Sequence, residues 1–173
     1  MWKVLEVFFI EPTKPHYLAD ISRRISLSHT SVKRELIRLV KSGLIEEVKE
    51  QKGSRKFPIY KAAFDNKDFR MYKRVRNIAA ILESGMARFM EERLSPKAIV
   101  LFGSYQKGED IENSDIDIFV ECKKEELDLR RFEKQIGRKI ELHFSDKFSF
   151  YPKELKNNIM NGIVLGGFLE GYR

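Results

Sequence analysis

Two short apolar runs, each bounded by polar residues of a particular kind, constrain this chain more than anything else in it. Residues 98–102 are apolar and stop at Gly103-Ser104. Ten residues later comes Asp115-x-Asp117, opening a second run that ends at Val120. Short apolar runs closed by turn residues read as buried strands. Along a strand, alternate residues share a face, so Asp115 and Asp117 point one way and Ile116, Ile118 and Val120 the other. Two carboxylates side by side are costly without a cation. Mg²⁺ takes one or two protein carboxylates and completes its shell with water and phosphate oxygens. Two such ions, about 3.5–4 Å apart, clamp the attacking and leaving oxygens of a phosphoryl or nucleotidyl transfer. Gly103 lets backbone approach phosphate closely, and Ser104 offers an N–H and a hydroxyl to it. Lys107 can neutralise phosphate charge. The pattern points to Asp115 and Asp117 as metal ligands, with Gly103, Ser104 and Lys107 on the nucleotide.

A third carboxylate stands further along. Residues 139–144 alternate Ile140, Leu142 and Phe144 against Glu141 and His143, a strand with Glu141 on the polar face. Paired beside the Asp115–Val120 strand, Glu141 reaches the same metals as third ligand, or serves as general base for an incoming hydroxyl. Asp-x-Asp after a serine is also a common surface turn. The Gly-Ser at its fixed distance and the matching strand favour the site over the turn.

Gly103-Ser104, ten residues, then Asp115-x-Asp117 resembles the signature of the DNA polymerase β-type nucleotidyltransferase superfamily. Lys107-Gly108 and Ser114-Asp115-Ile116-Asp117 resemble its minimal nucleotidyltransferase branch, as does the closing segment with Asn161-Gly162-Ile163-Val164-Leu165. The resemblance spans roughly residues 95 to 170. It implies a small mixed sheet, two Mg²⁺ ions and an NTP substrate, with transfer of a nucleoside monophosphate to an acceptor hydroxyl. Two departures stand out. The family usually has arginine where this chain has Lys107, which loses bidentate phosphate geometry, and aspartate where it has Glu141. That branch is associated with toxin partners, which adds an antitoxin-like enzyme nucleotidylating another protein to the readings.

The N-terminal half differs in charge and period. The chain has 173 residues and net charge +7, and residues 1–65 hold 13 Lys+Arg against 8 Asp+Glu. A polyanionic partner is therefore expected there. Residues 1–9 have helical spacing, Pro12 and Pro15 interrupt, and Leu18, Ile21 and Ile25 resume it. Ser28 is a good N-cap. Val32, Leu36 and Leu39 then recur on one helix face, Thr30, Lys33, Arg34 and Arg38 fall on another, and Gly43 supplies the stop. Residues 44–49 and 57–62 read as a hairpin whose five-residue turn, 51–55, has a basic tip. This order is similar to a winged helix-turn-helix. The resemblance implies that Thr30, Lys33, Arg34 and Arg38 enter a major groove, while Lys52, Arg55 and Lys56 touch the adjacent backbone. The same basic face also suits a protein-contact module, and DNA and RNA are not distinguished.

Residues 65–94 read as one long linking helix ended by Ser95-Pro96, its apolar stripe suiting a core or a homodimer face. The single Cys122 excludes an internal disulfide, and His16, His29 and His143 are too scattered for a histidine metal motif. No apolar run approaches the ~20 residues of a membrane span, and residues 1–10 lack a signal-peptide cleavage site. A cytoplasmic location without membrane contact is expected. The expected architecture is α+β: a winged helix-turn-helix domain (1–64), a linking helix (65–94) and a minimal nucleotidyltransferase domain (95–173). The leading reading is a Mg-dependent nucleotidyltransferase. Its rival is a DNA-binding transcriptional regulator whose second domain is a non-catalytic ligand-sensing or dimerisation scaffold.

Overall fold

A computed structural model describes residues 1–170, the side chain of Lys52 excepted. The chain divides into two compact units, Met1–Lys73 and Arg74–Arg173.

The first unit packs three helices, α1 (Trp2–Ile10), α2 (Leu18–Ile25) and α3 (His29–Lys41), with a hairpin of β1 (Ile45–Lys52) and β2 (Arg55–Ala62). Its core takes Leu5 and Phe8 from α1, Ile21 from α2, Val32, Leu36 and Leu39 from α3, and Ile45 and Tyr60 from the hairpin. Ser28 caps α3 as its residue type suggests, its side chain accepting the Ser31 N–H at 3.2 Å. At the other end Gly43 adopts φ 71°. The Gly43 N–H then reaches Val40 O and the Leu44 N–H reaches Leu39 O, each at 3.0 Å. These two bonds satisfy carbonyls the helix end leaves open and turn the chain straight into β1.

The hairpin is tighter than expected. Pairing runs from Ile45↔Ala62 out to Lys52↔Arg55, leaving Gly53-Ser54 as a two-residue turn with Gly53 at φ 62°. Cross-strand hydrogen bonding thus extends into residues the sequence suggested were turn. His16 is a structural residue. Its backbone exchanges hydrogen bonds with Tyr60 at 2.8 and 2.9 Å, and its ring meets Phe8 edge-on.

The expected single helix over 65–94 is two, α4 (Lys67–Ser84) and α5 (Met86–Leu94). Gly85, at φ 73°, breaks the helical path. Ser84 fixes the break: its hydroxyl donates to Ile81 O at 2.7 Å and accepts the Met86 N–H at 3.2 Å. The unit boundary lies inside α4, well before this break.

The second unit continues with β3 (Ala98–Phe102), α6 (Gly103–Lys107), β4 (Ile116–Val120), α7 (Arg130–Ile136), β5 (Ile140–Phe144), a 3₁₀ turn (Phe148–Phe150), α8 (Lys153–Met160) and β6 (Ile163–Gly167). The sheet order is β5-β4-β3-β6. β3 is antiparallel to β4 and β6, while β4 and β5 are parallel. All five residues of β3 are buried, because both faces of the sheet are covered. One face carries Ile99, Leu101, Ile116, Ile118 and Val120 against Ile81, Met86, Met90 and Phe132. The other carries Ala98, Val100, Phe102 and Phe119 against Phe148 and Ile159. A continuous apolar run, rather than an alternating one, is what a strand buried on both faces requires. No helix among the described residues is long and apolar enough to cross a membrane.

Candidate active site

Strand register assembles the site. Parallel pairing aligns Asp117 with Glu141 and Phe119 with His143, and antiparallel pairing aligns Phe102 with Asp117. These residues share the face that Phe102 and Phe119 line. One ligand atom from each of Asp117, Glu141 and His143 lies within 4.8 Å of the others. His143 Nε2 is 3.3 Å from Asp117 Oδ1, and its ring stands edge-on to Phe102 with centroids 5.1 Å apart. The Asp117 side chain is 27% exposed and that of His143 22%, while Glu141 is exposed, so the cluster opens to solvent.

Gly103 is the residue whose smallness the site needs most. It sits at φ 76°, and a Cβ placed there falls 2.2 Å from Asp117 Oδ2. Any side chain at 103 would have to displace that carboxylate. The Gly-Ser pair thus opens a five-residue helix, α6, directly over Asp117. Ser104 lies half-buried in its first turn, and Lys107 is exposed at its end.

Asp115 directly precedes the strand β4. β4 starts at Ile116, whose N–H bonds Lys139 O at 2.8 Å, so Asp115 is the exposed residue just before the ladder. Asp117, Glu141 and His143 form a cluster with ligand atoms within 4.8 Å of one another; of the expected trio of Asp115, Asp117 and Glu141, two stand in it. The signal for His143 was present, two residues after Glu141 on an alternating strand.

Two further features lie outside the sequence reading. Tyr151 packs edge-on against Phe119, centroids 5.3 Å apart. Burial raises the pKa of its phenol, and the Glu141 charge raises it further, so Tyr151 borders the acidic face as a neutral hydroxyl. Beneath the motif loop, Asp110 is 1% exposed. Asn77 donates to its Oδ1 at 2.7 Å and to the Tyr105 carbonyl at 2.9 Å, and Arg138 approaches its other oxygen at 3.9 Å. A buried carboxylate kept by an amide and a guanidinium ties α4, the motif loop and the entry to β5 together. Removing one partner of such a group leaves the other stranded, which is the costly case.

In the first unit Thr30, Lys33, Arg34 and Arg38 are exposed on α3, away from Val32, Leu36 and Leu39. Arg38 is partly engaged, bonding Glu35 at 2.9 Å. Arg55 and Lys56 are exposed at the start of β2. The side chain of Lys52 lies outside the described residues.

Residues 84–165 match the family model for a nucleotidyltransferase domain. That span runs from the end of α4 into β6 and includes every residue of the acidic cluster. It bears out the nucleotidyltransferase part of the expected architecture, the general kind of reaction and an NTP as the substrate class. A solved structure described as a possible transcriptional regulator from Methanosarcina mazei Go1 is 23% identical, with a TM-score of 0.34, over 51% of this chain and 70% of that one. No curated protein matches the chain.

Proposed function

We propose that the second unit transfers a nucleoside monophosphate from an NTP to an acceptor hydroxyl, and that the first is a winged helix-turn-helix module bringing it to a nucleic acid. The observation that carries the first part is the Gly103–Asp117 contact. A glycine with no room for a Cβ holds a carboxylate beside a second carboxylate in strand register, in a span that matches a nucleotidyltransferase domain. Oxygen donors of this kind fit a divalent cation. Asp117 and Glu141 would hold it, with Asp115 a further oxygen donor from the exposed approach to β4. Such a cation neutralises phosphate charge and lowers the pKa of a hydroxyl bound to it.

The chain's own residues do the rest. Gly103 and the Ser104 N–H and hydroxyl cradle the phosphates, and Lys107 balances their charge. Glu141 orients the acceptor hydroxyl and takes its proton. The acceptor oxygen bonds to the α-phosphorus as the bond to the pyrophosphate oxygen breaks, and pyrophosphate leaves. Mg²⁺ is the cation that the sequence resemblance implies.

Support for the winged-helix reading is local. α2 and α3 are joined by Ser26, Leu27 and Ser28, and α3 presents its cations opposite its core stripe. The hairpin follows with Arg55 and Lys56 exposed. A helix with that face suits a major groove, and the hairpin an adjacent backbone.

Calorimetric titration of MgATP, MgCTP, MgGTP and MgUTP into the full chain and into Asp117→Asn tests the catalytic reading without knowledge of the acceptor. Metal-dependent binding of at least one nucleotide, lost in a variant with an unchanged circular dichroism spectrum, is expected. Undiminished binding to Asp117→Asn, or no binding of any of the four to either protein, refutes it.

A further inference from the structure

We infer that His143 is a metal ligand, and that it makes the cluster select a first-row transition cation of the Mn²⁺–Co²⁺–Zn²⁺ class over Mg²⁺. The inference deepens the nucleotidyltransferase reading and rests on the same cluster. The donor set is the first argument. Mg²⁺ takes oxygen ligands and tolerates little departure from an octahedron, whereas imidazole suits transition cations, whose affinities for mixed nitrogen and oxygen sites rise from Mn²⁺ toward Cu²⁺. A site that adds an imidazole to its carboxylates is therefore biased by its chemistry before any nucleotide arrives.

Spacing is the second argument. Asp117 Oδ1 and His143 Nε2 are 3.3 Å apart. Two donors about 2.0–2.2 Å from one ion and set at a right or tetrahedral angle stand roughly 3.0–3.5 Å apart. The pair is already at a ligand–ligand separation. Three contacts keep it there. Phe102 stands edge-on to the imidazole, Gly103 closes on the far oxygen of Asp117, and the parallel ladder holds His143 one alternation beyond Glu141.

His143 could instead only orient Asp117 by a hydrogen bond. That role predicts an equal loss for every cation when the imidazole is removed, so the two roles separate by measurement. MnCl₂, CoCl₂ and MgCl₂ are titrated calorimetrically into the full chain, without nucleotide, for wild type, His143→Gln and Asp117→Asn. The Co²⁺ form is also examined by NMR for a hyperfine-shifted imidazole N–H.

Wild type is expected to bind Mn²⁺ and Co²⁺ at least about tenfold more tightly than Mg²⁺. His143→Gln is expected to erase most of that preference while leaving Mg²⁺ affinity nearly unchanged. The shifted imidazole signal is expected in wild type and absent in His143→Gln. Equal affinity for Mg²⁺ and Mn²⁺, equal losses for all three cations in His143→Gln, or no binding of any of them overturns the inference. Selectivity that persists when no nucleotide binds leaves His143 a ligand and sinks the transferase reading alone. Nucleotide binding equally supported by Mg²⁺ and Mn²⁺, and indifferent to His143→Gln, does the reverse.

Discussion

The helix α3 and the strand pair β4–β5 solve the same problem in opposite ways. On α3 the 3.6-residue period separates core from charge completely. Val32, Leu36 and Leu39 are buried while Thr30, Lys33, Arg34 and Arg38 stand in solvent on other faces. On β4 the period of two puts charge and core on one face, so Asp117 and the fully buried Phe119 are same-face neighbours. The cations on the helix stand clear of its core stripe, with Arg38 bonding Glu35 on the same helix. Charges on the strands are held by the packing that holds the sheet. Substitution on α3 should therefore give graded, additive losses, and substitution around Asp117 an abrupt one.

The largest expected effect tests the abrupt case. Asp117→Asn should lower nucleotide turnover by about 100-fold or more, the scale of removing a group that stabilises developing charge. Comparing initial rates with labelled NTP against unchanged far-UV dichroism separates this from unfolding. Retained turnover would remove the site from this strand pair.

Next comes Gly103→Ala, which is predicted to link site and stability. Left-handed φ costs an L-residue about 1–2 kcal/mol, and the new methyl must displace the Asp117 carboxylate. Urea denaturation should register that loss, and metal affinity should fall with it. Loss of stability with metal affinity intact would show that the glycine serves the turn alone.

A smaller, graded response belongs to α3. Lys33→Ala and Arg34→Ala should each weaken binding of a DNA duplex about equally across sequences, lowering the slope of log affinity against log salt by about 1. Arg38→Ala should do less, since Glu35 already holds that guanidinium. Fluorescence anisotropy over a salt series measures all three. Non-additive losses would undo the contrast with the strands.

The smallest effect is acidic. Lys14 donates to Glu11 at 2.6 Å and Arg24 also bonds it. The Lys14 hydrogen bond leads in lowering its pKa from 4.5 to about 2, partly opposed by burial. A depressed folded-state pKa adds stability above pH 4.5, which is lost as pH falls toward 2. Because the pair is partly exposed, about 1 kcal/mol is at stake. Glu11→Gln should flatten that part of the pH–stability curve in chemical denaturation.

Much of this was legible in the residues because it is local. Ser28 and Gly43 announce α3, and the apolar run of β3 announces a strand covered on both sides. Gly85 was legible too, as a glycine inside a helical pattern, but the apolar spacing on either side of it disguised two helices as one. What the sequence hid is non-local. The Asp110 network joins residues 28 and 33 positions apart, a distance over which no spacing rule operates. His143 is one of three histidines scattered along the chain, and only the pairing of β5 with β4 brings it to Asp117. Alternation groups Asp115 with Asp117, and the ladder itself begins one residue after Asp115, at Ile116.

The parallel pairing of β4 and β5 has a consequence for how the chain folds. Parallel neighbours cannot be joined by a tight turn, so Asp117 meets Glu141 only after the crossover carrying α7 has closed. A chain shifted by a single position in β5 would present Ile140 and Leu142 where the acids belong and bury Glu141 instead. A cation held by Asp117 and Glu141 would thus reward the one arrangement in which the crossover has landed correctly.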